Sequence, residues 1–306
     1  MNVREWALPV YTILMQLAAG AILSLWALRW RIYPRFSLVE VDRITRNPIL
    51  VILFTVIVAM GGSHFHLSKP FRSFYAVRNF QSSWLSREIV FTVAFFLLLS
   101  TVWMLSRYRK ERRSLITFLG WLAVLFGSIV VYCMARIYMI PTQVAWNSST
   151  VVVSFFTTTV LLGTMAITCL LVLDLKFAEI QKSEDIKVRV QVIKYSLVWL
   201  ALVAFAAVLA SLAITFYQVY MLNQGDSIAQ TSFQLLSELY LPLLVLRLLS
   251  IIIGPVWLGY AIYHMHKNSL EPQGLFVPIY MSCLLILIGE IIGRFLFYAT
   301  HIRIGI

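Results

Sequence analysis

Long apolar runs alternate with short polar ones along the whole chain. A run of about 20 apolar residues is what a helix needs to cross a bilayer. Eight such runs are read here, at about residues 8–29, 47–63, 88–106, 115–136, 150–174, 195–221, 235–263 and 276–299. The pieces between them are short, so neighbouring helices should pack antiparallel as a bundle. The pattern predicts an all-α integral membrane protein with eight transmembrane helices, arranged as two four-helix bundles within one domain, residues 1–306. No convincing sequence repeat marks the two halves. The first run is long and lacks a basic segment followed by a small-residue cleavage site, so it reads as a retained span.

Composition agrees with this picture. Hydrophobic residues make up 60% of the chain and charged residues 12%, against about 25% charged in ordinary soluble domains. A soluble catalytic domain needs on the order of 100 residues in one stretch, and no polar stretch here approaches that. Chemistry beyond the membrane therefore belongs to a partner or to the bilayer itself. The net charge of +12 reads as membrane orientation and attraction to anionic membrane lipid, not as nucleic-acid binding.

Basic residues concentrate after the odd-numbered spans. Arg29, Arg31, Arg35, Arg43 and Arg46 follow the first; Arg107, Arg109, Lys110, Arg112 and Arg113 follow the third. Lys176, Lys182, Lys187, Arg189 and Lys194 follow the fifth, and Lys267 the seventh. Those loops should be cytoplasmic, with both termini on the periplasmic side of the inner membrane. The loop after the second span departs from the rule. It holds Lys69, Arg72, Arg78 and Arg87, and a docked protein or a bound polar ligand would explain the excess.

That same loop is the densest polar stretch. His64 and His66 leave span two, and Ser86, Arg87 and Glu88 open span three. Ionisable groups at the edge of a bilayer are costly and so are functional candidates. An imidazole and a buried carboxylate can take protons, and a guanidinium can stabilise developing charge. Quinol oxidation needs that combination: His66 and Glu88 as proton acceptors, with Arg72, His64 and Arg78 around the ring. The bland alternative makes Ser86 the cap of span three and Glu88 a first-turn acid complementing the helix dipole.

Further charges lie deeper. Glu238 and Arg247 fall in span seven, Glu290 and Arg294 in span eight. The i,i+4 spacing of Glu290 and Arg294 suggests a structural ion pair. Gly289 and Gly293 offer a surface for close helix packing. Arg136, Tyr138, Pro141 and Trp146 close span four, where Trp and Tyr read as an interfacial aromatic belt. Cys133, Cys169 and Cys283 lie in separate apolar spans without a CxxC pair. They read as small buried hydrophobes, with neither a disulfide nor a metal cluster expected. No metal site is expected. The histidines do not face one another within spans, so haem is not expected either. The Asn147-Ser-Ser sequon is a weak signal.

Particular residues match a known pattern. Glu5-Trp6-x-Leu8, Thr12, Gln16 and Ala19-Gly20 form one stretch. His66-Leu67-Ser68-Lys69-Pro70-Phe71-Arg72, Leu85-Ser86-Arg87-Glu88-Ile89 and Arg136-Ile-Tyr138 form others, with Gly289-Glu290-x-Ile-Gly293-Arg294-x-x-Phe297-Tyr298 near the end. In these the chain resembles the membrane anchor subunits of the dimethyl sulfoxide reductase family, within the wider NrfD-like group. The resemblance implies eight helices without haem, an iron–sulfur partner subunit and a molybdopterin catalytic subunit beyond it. It also implies menaquinol as donor, with His66 and Glu88 in the quinol site. Ser68-Lys69 stands where the family has Gly-Ser, and Arg87 where an uncharged residue is common. Two other readings are a secondary transporter with Glu238, Arg247 and Glu290 along a path, which discontinuous helices would support and for which Gly254-Pro255 is the only strong breaker in span seven, and a haem-bearing quinone oxidoreductase anchor.

Overall fold

The computed structural model describes residues 3–66, 77–182, 186–267, 276–300 and 302, with the side chains at 3–7, 64–66 and 266 outside the description. Nine α-helices are present among the described residues: α1 Val3–Ile32, α2 Leu38–His66, α3 Trp84–Tyr108, α4 Arg113–Tyr138, α5 Ser149–Ile180, α6 Ile186–Gln224, α7 Ser227–Gln234, α8 Leu241–Lys267 and α9 Phe276–Ala299. All but the short α7 are long and apolar enough to span a bilayer, giving the eight spans expected. An even number of spans puts the start of α1 and the end of α9 on one face, the terminal face. The ends of α1, α3, α5 and α8 share the other, basic face.

Several helices run well past their apolar runs. α2 begins at Leu38, not near residue 47, because Ser37 and Glu40 form a reciprocal cap. The Ser37 N–H donates to Glu40 Oε2 at 3.2 Å, and the Glu40 N–H donates to Ser37 Oγ at 3.4 Å. This is an S-x-x-E capping box, a signal that hydropathy alone passes over. Arg43 and Arg46 are therefore helical, not loop residues. Likewise α5 continues to Ile180 and α6 starts at Ile186, so Lys187, Arg189 and Lys194 sit on α6.

α1 and α5 lie at the centre. Their backbones meet at Gly20 and Gly163, where a Cβ on either would overlap the other helix. Close backbone contact of this kind drives packing between spans, since lipid is as apolar as leucine. Polar side chains add to the seam: Ser24 and Thr164 hydroxyls lie 3.1 Å apart, and Gln16 Nε2 donates to the Phe155 carbonyl at 2.9 Å. α1 also packs on α2, α4, α6 and α9, so these contacts do not delineate two separate four-helix bundles. Gly289 and Gly293 form the expected close surface of α9, where a Cβ would meet Ile251 or the Arg247 guanidinium of α8, and Gly254 of α8 packs as closely on Ile286. α8 runs unbroken through Pro255, so the helix break that would favour a transporter is absent there.

The cysteine expectation holds only for Cys133, a buried free thiol. Cys169 on α5 and Cys283 on α9 are paired as a disulfide, with Cα atoms 7.2 Å apart, a wide spacing for a bridge. Nothing in the residue pattern points to this pairing, because it depends on which faces of α5 and α9 meet.

Candidate functional site

Glu88 lies in the second turn of α3, near the terminal face, and is only 5% exposed. The cap of α3 is Ser83, whose Oγ accepts from the Ser86 N–H at 3.4 Å. Glu88 therefore stands beyond the first turn, and the bland reading of a cap-and-dipole pair at Ser86 and Glu88 is corrected. Its carboxyl turns inward towards α1, where the Tyr11 phenol faces it. Among the described residues, no guanidinium comes within ion-pair distance of it. Arg87, the adjacent residue, points away and donates to the Phe80 and Gln81 carbonyls at 2.9 and 2.5 Å while lying over the Trp84 ring. Arg87 thus clamps its own loop. The Arg136 guanidinium also lies over Trp84, 4.9 Å from its centroid.

His64 and His66 close α2, at the other end of the loop that Glu88's helix follows. Their side chains lie outside the described residues, as do Lys69 and Arg72. Arg78 is exposed in a 3₁₀ turn, Val77–Asn79. The backbone thus brings α2's last turn and α3's first turns to one face, with α2 and α3 packed together.

Behind Glu88 lies a polar and aromatic interior. Tyr138 and Tyr298 hydroxyls are hydrogen-bonded. Tyr138 meets Trp146, Phe155 and Phe297 at centroid distances of 5.4, 5.8 and 5.3 Å. Trp146 stacks on Phe297 and donates from Nε1 to its carbonyl at 2.8 Å. Tyr138 and Trp146 are buried, so the expected interfacial belt is instead an internal plug. Arg294 lies over Phe155 at 4.0 Å and donates to Gln16 Oε1 at 2.5 Å.

The expected Glu290–Arg294 ion pair does not form. Glu290 Oε2 accepts instead from the Thr158 hydroxyl at 2.6 Å, and Arg294 is committed to Gln16 and the rings. Sequence spacing placed the two on one helix face, but α1 and α5 supply nearer partners. Glu238 is likewise corrected: it is exposed in a π-helical turn, Leu235–Leu239, ahead of α8, not within the span. Tyr11 and Thr158 were missed as site residues, since a lone hydroxyl in an apolar run carries no pattern.

The fold and this interior define a polytopic all-α membrane protein whose unpaired buried carboxyls gather towards one face. No group of three or more His, Cys, Asp or Glu able to hold a metal is present among the described residues. The family model of the DMSO reductase anchor subunit (DmsC) matches residues 1–300, and the chain belongs to that family. It is 27% identical over 314 residues to the C subunit of anaerobic dimethyl sulfoxide reductase from Haemophilus influenzae, covering 100% of this chain and 98% of that one. It is 26% identical to the anaerobic dimethyl sulfoxide reductase subunit YnfH of Escherichia coli K12, covering 98% and 96%. The C subunit of the same organism's anaerobic dimethyl sulfoxide reductase is also 26% identical, again covering 98% and 96%.

Proposed function

We propose that this chain oxidises menaquinol within a dimethyl sulfoxide reductase-like complex of the inner membrane. The basic loops face the cytoplasm and the terminal face lies at the periplasm. Electrons leave to an iron–sulfur subunit and from there to a molybdopterin catalytic subunit. The protein itself carries no haem in this reading. Family membership and the relatives' names support the setting. The observation that carries the chemistry is the buried Glu88 carboxyl, facing a phenol with no cation paired to it among the described residues.

Oxidation of a quinol releases two protons and two electrons. A carboxylate with no guanidinium partner is free to take a proton, whereas a salt-bridged one is held ionised. Glu88 takes one proton and His66, at the end of α2, takes the other. Arg72, with His64 and Arg78 nearby in sequence, steadies the ring. Glu88 is only 5% exposed, and burial from water strengthens the charge interactions there.

The test uses the assembled complex. Glu88→Gln and His66→Ala should nearly stop quinol-linked acceptor reduction. An artificial donor feeding the iron–sulfur subunit directly should still support it. Wild-type quinol oxidation by either variant in an intact complex removes that residue from the mechanism.

A further inference from the structure

A groove with a volume of about 560 Å³ lies between the end of α1 and the start of α4, at the basic face. Its floor is Trp26, which is 1% exposed. That ring is fixed: its Nε1–H donates to the Thr117 carbonyl at 3.1 Å, and any Cβ at Gly120 would strike the indole. The exposed rings of Trp30, Tyr33, Phe118 and Trp121 form the walls. Arg29 and Arg113 are the charged residues of the lining, and no acid joins them among the described residues. Asp42 lies outside the lining and holds both guanidiniums, meeting Arg29 Nη2 at 2.6 Å and Arg113 Nε at 3.1 Å. Two guanidiniums share one carboxylate, so one positive charge is left over.

Arg113 is 40% exposed, and its five N–H donors outnumber what a shared carboxylate accepts. Ser114 brings a hydroxyl beside it in the first turn of α4, a turn with no side-chain cap. Trp and Tyr walls at the end of a span suit the headgroup level of a bilayer. The charge then selects the lipid. A phosphodiester accepts from Arg113 and Ser114, as basic pockets between spans hold anionic headgroups. The ammonium of a zwitterionic headgroup would find no acid in the lining and would meet the two guanidiniums instead. We infer that this groove is a site for an anionic phospholipid of the phosphatidylglycerol type. The phosphate sits at Arg113 and Ser114, and the glycerol backbone lies against Trp30 and Phe118. The site stands apart from the quinol reading and does not depend on it.

The experiment reconstitutes the full chain in phosphatidylcholine vesicles holding a trace of phosphatidylglycerol with a photoreactive group near its headgroup. Adducts are mapped by mass spectrometry. They are expected on residues 26–33 or 113–121, about tenfold above those on Tyr260 and Tyr263, which are equally exposed rings near the basic end of α8. Excess phosphatidylglycerol should suppress the groove adducts; phosphatidylethanolamine and inorganic phosphate should not. Arg113→Gln should lower them about tenfold, the loss of one charged hydrogen bond. Ser114→Trp fills the groove at an exposed position and keeps both guanidiniums, so it should abolish the adducts even if Arg113→Gln misfolds. The inference is overturned if the groove is labelled no more than Tyr260 and Tyr263, the pattern of bulk lipid. Suppression by phosphatidylethanolamine or by inorganic phosphate overturns it too. So does labelling that is unchanged in Ser114→Trp or in a folded Arg113→Gln.

Discussion

Two aspartates at the basic face and two glutamates towards the terminal face are treated differently by this molecule. Asp42 and Asp174 each have a cation. Asp42 receives Arg29 at 2.6 Å and Arg113 at 3.1 Å. Asp174 receives Arg189 at 2.9 Å and the Asn47 amide at 3.1 Å. Glu88 and Glu290 have no ion-pair partner among the described residues, although Arg87, Arg247 and Arg294 are close in sequence or in space. The paired set ties helix extensions together: α2 to α1 and α4, α5 to α6 and α2. The unpaired set joins helices only through neutral hydroxyls, Thr158 on Glu290 and Tyr11 facing Glu88. A buried carboxyl without a cation is costly, which makes it a functional candidate.

The contrast can be broken most sharply by neutralising one carboxylate of each kind. Glu88→Gln should lower quinol-linked turnover by about 10²–10⁴-fold, the usual contribution of a general base. Its resistance to SDS unfolding should match wild type or exceed it, since no ion pair is lost. Asp174→Asn should do the reverse. It leaves Arg189, itself only 15% exposed, without its carboxylate. The loss should be about 2–3 kcal/mol, somewhat below the 3–5 of a fully buried pair, with quinol kinetics unchanged. If Asp174→Asn slows turnover and Glu88→Gln does not, the division of labour is inverted.

Smaller effects sharpen the same line. Asp42 is 26% exposed, so solvent screens its pairs and Asp42→Asn should cost only about 1 kcal/mol in the same unfolding assay. High salt should shrink that difference. Arg87→Gln should cost about 0.5–1 kcal/mol by releasing the Phe80 and Gln81 carbonyls. Limited proteolysis should then cut the 77–83 segment roughly two- to five-fold faster, with turnover retained. A large kinetic loss in Arg87→Gln would mean that this guanidinium serves the quinol and not merely its loop.

Much of the architecture was legible in the residue pattern. Eight apolar runs became eight spans, because crossing a bilayer imposes length and apolarity on each segment separately. Glu88 stood out because a carboxyl at a span edge is rare and costly. Helix ends were less legible: basic extensions such as 38–46 look like loop until the Ser37–Glu40 cap is noticed. Pairings across helices were least legible. Glu290 and Arg294 obeyed the i,i+4 rule, yet each found a partner on another helix.

What the sequence by itself determined is local: which segments are apolar enough to span, how many there are, which loops are basic, and which residues carry chemistry. Only the tertiary structure decided what each of those residues touches. It put Tyr11 opposite Glu88, Thr158 on Glu290, the Arg247 guanidinium against Gly293, and Cys169 beside Cys283. The physical reason is that lipid contact constrains every span alike, whereas partner choice inside the bundle depends on helix rotation and crossing, set by packing many residues away.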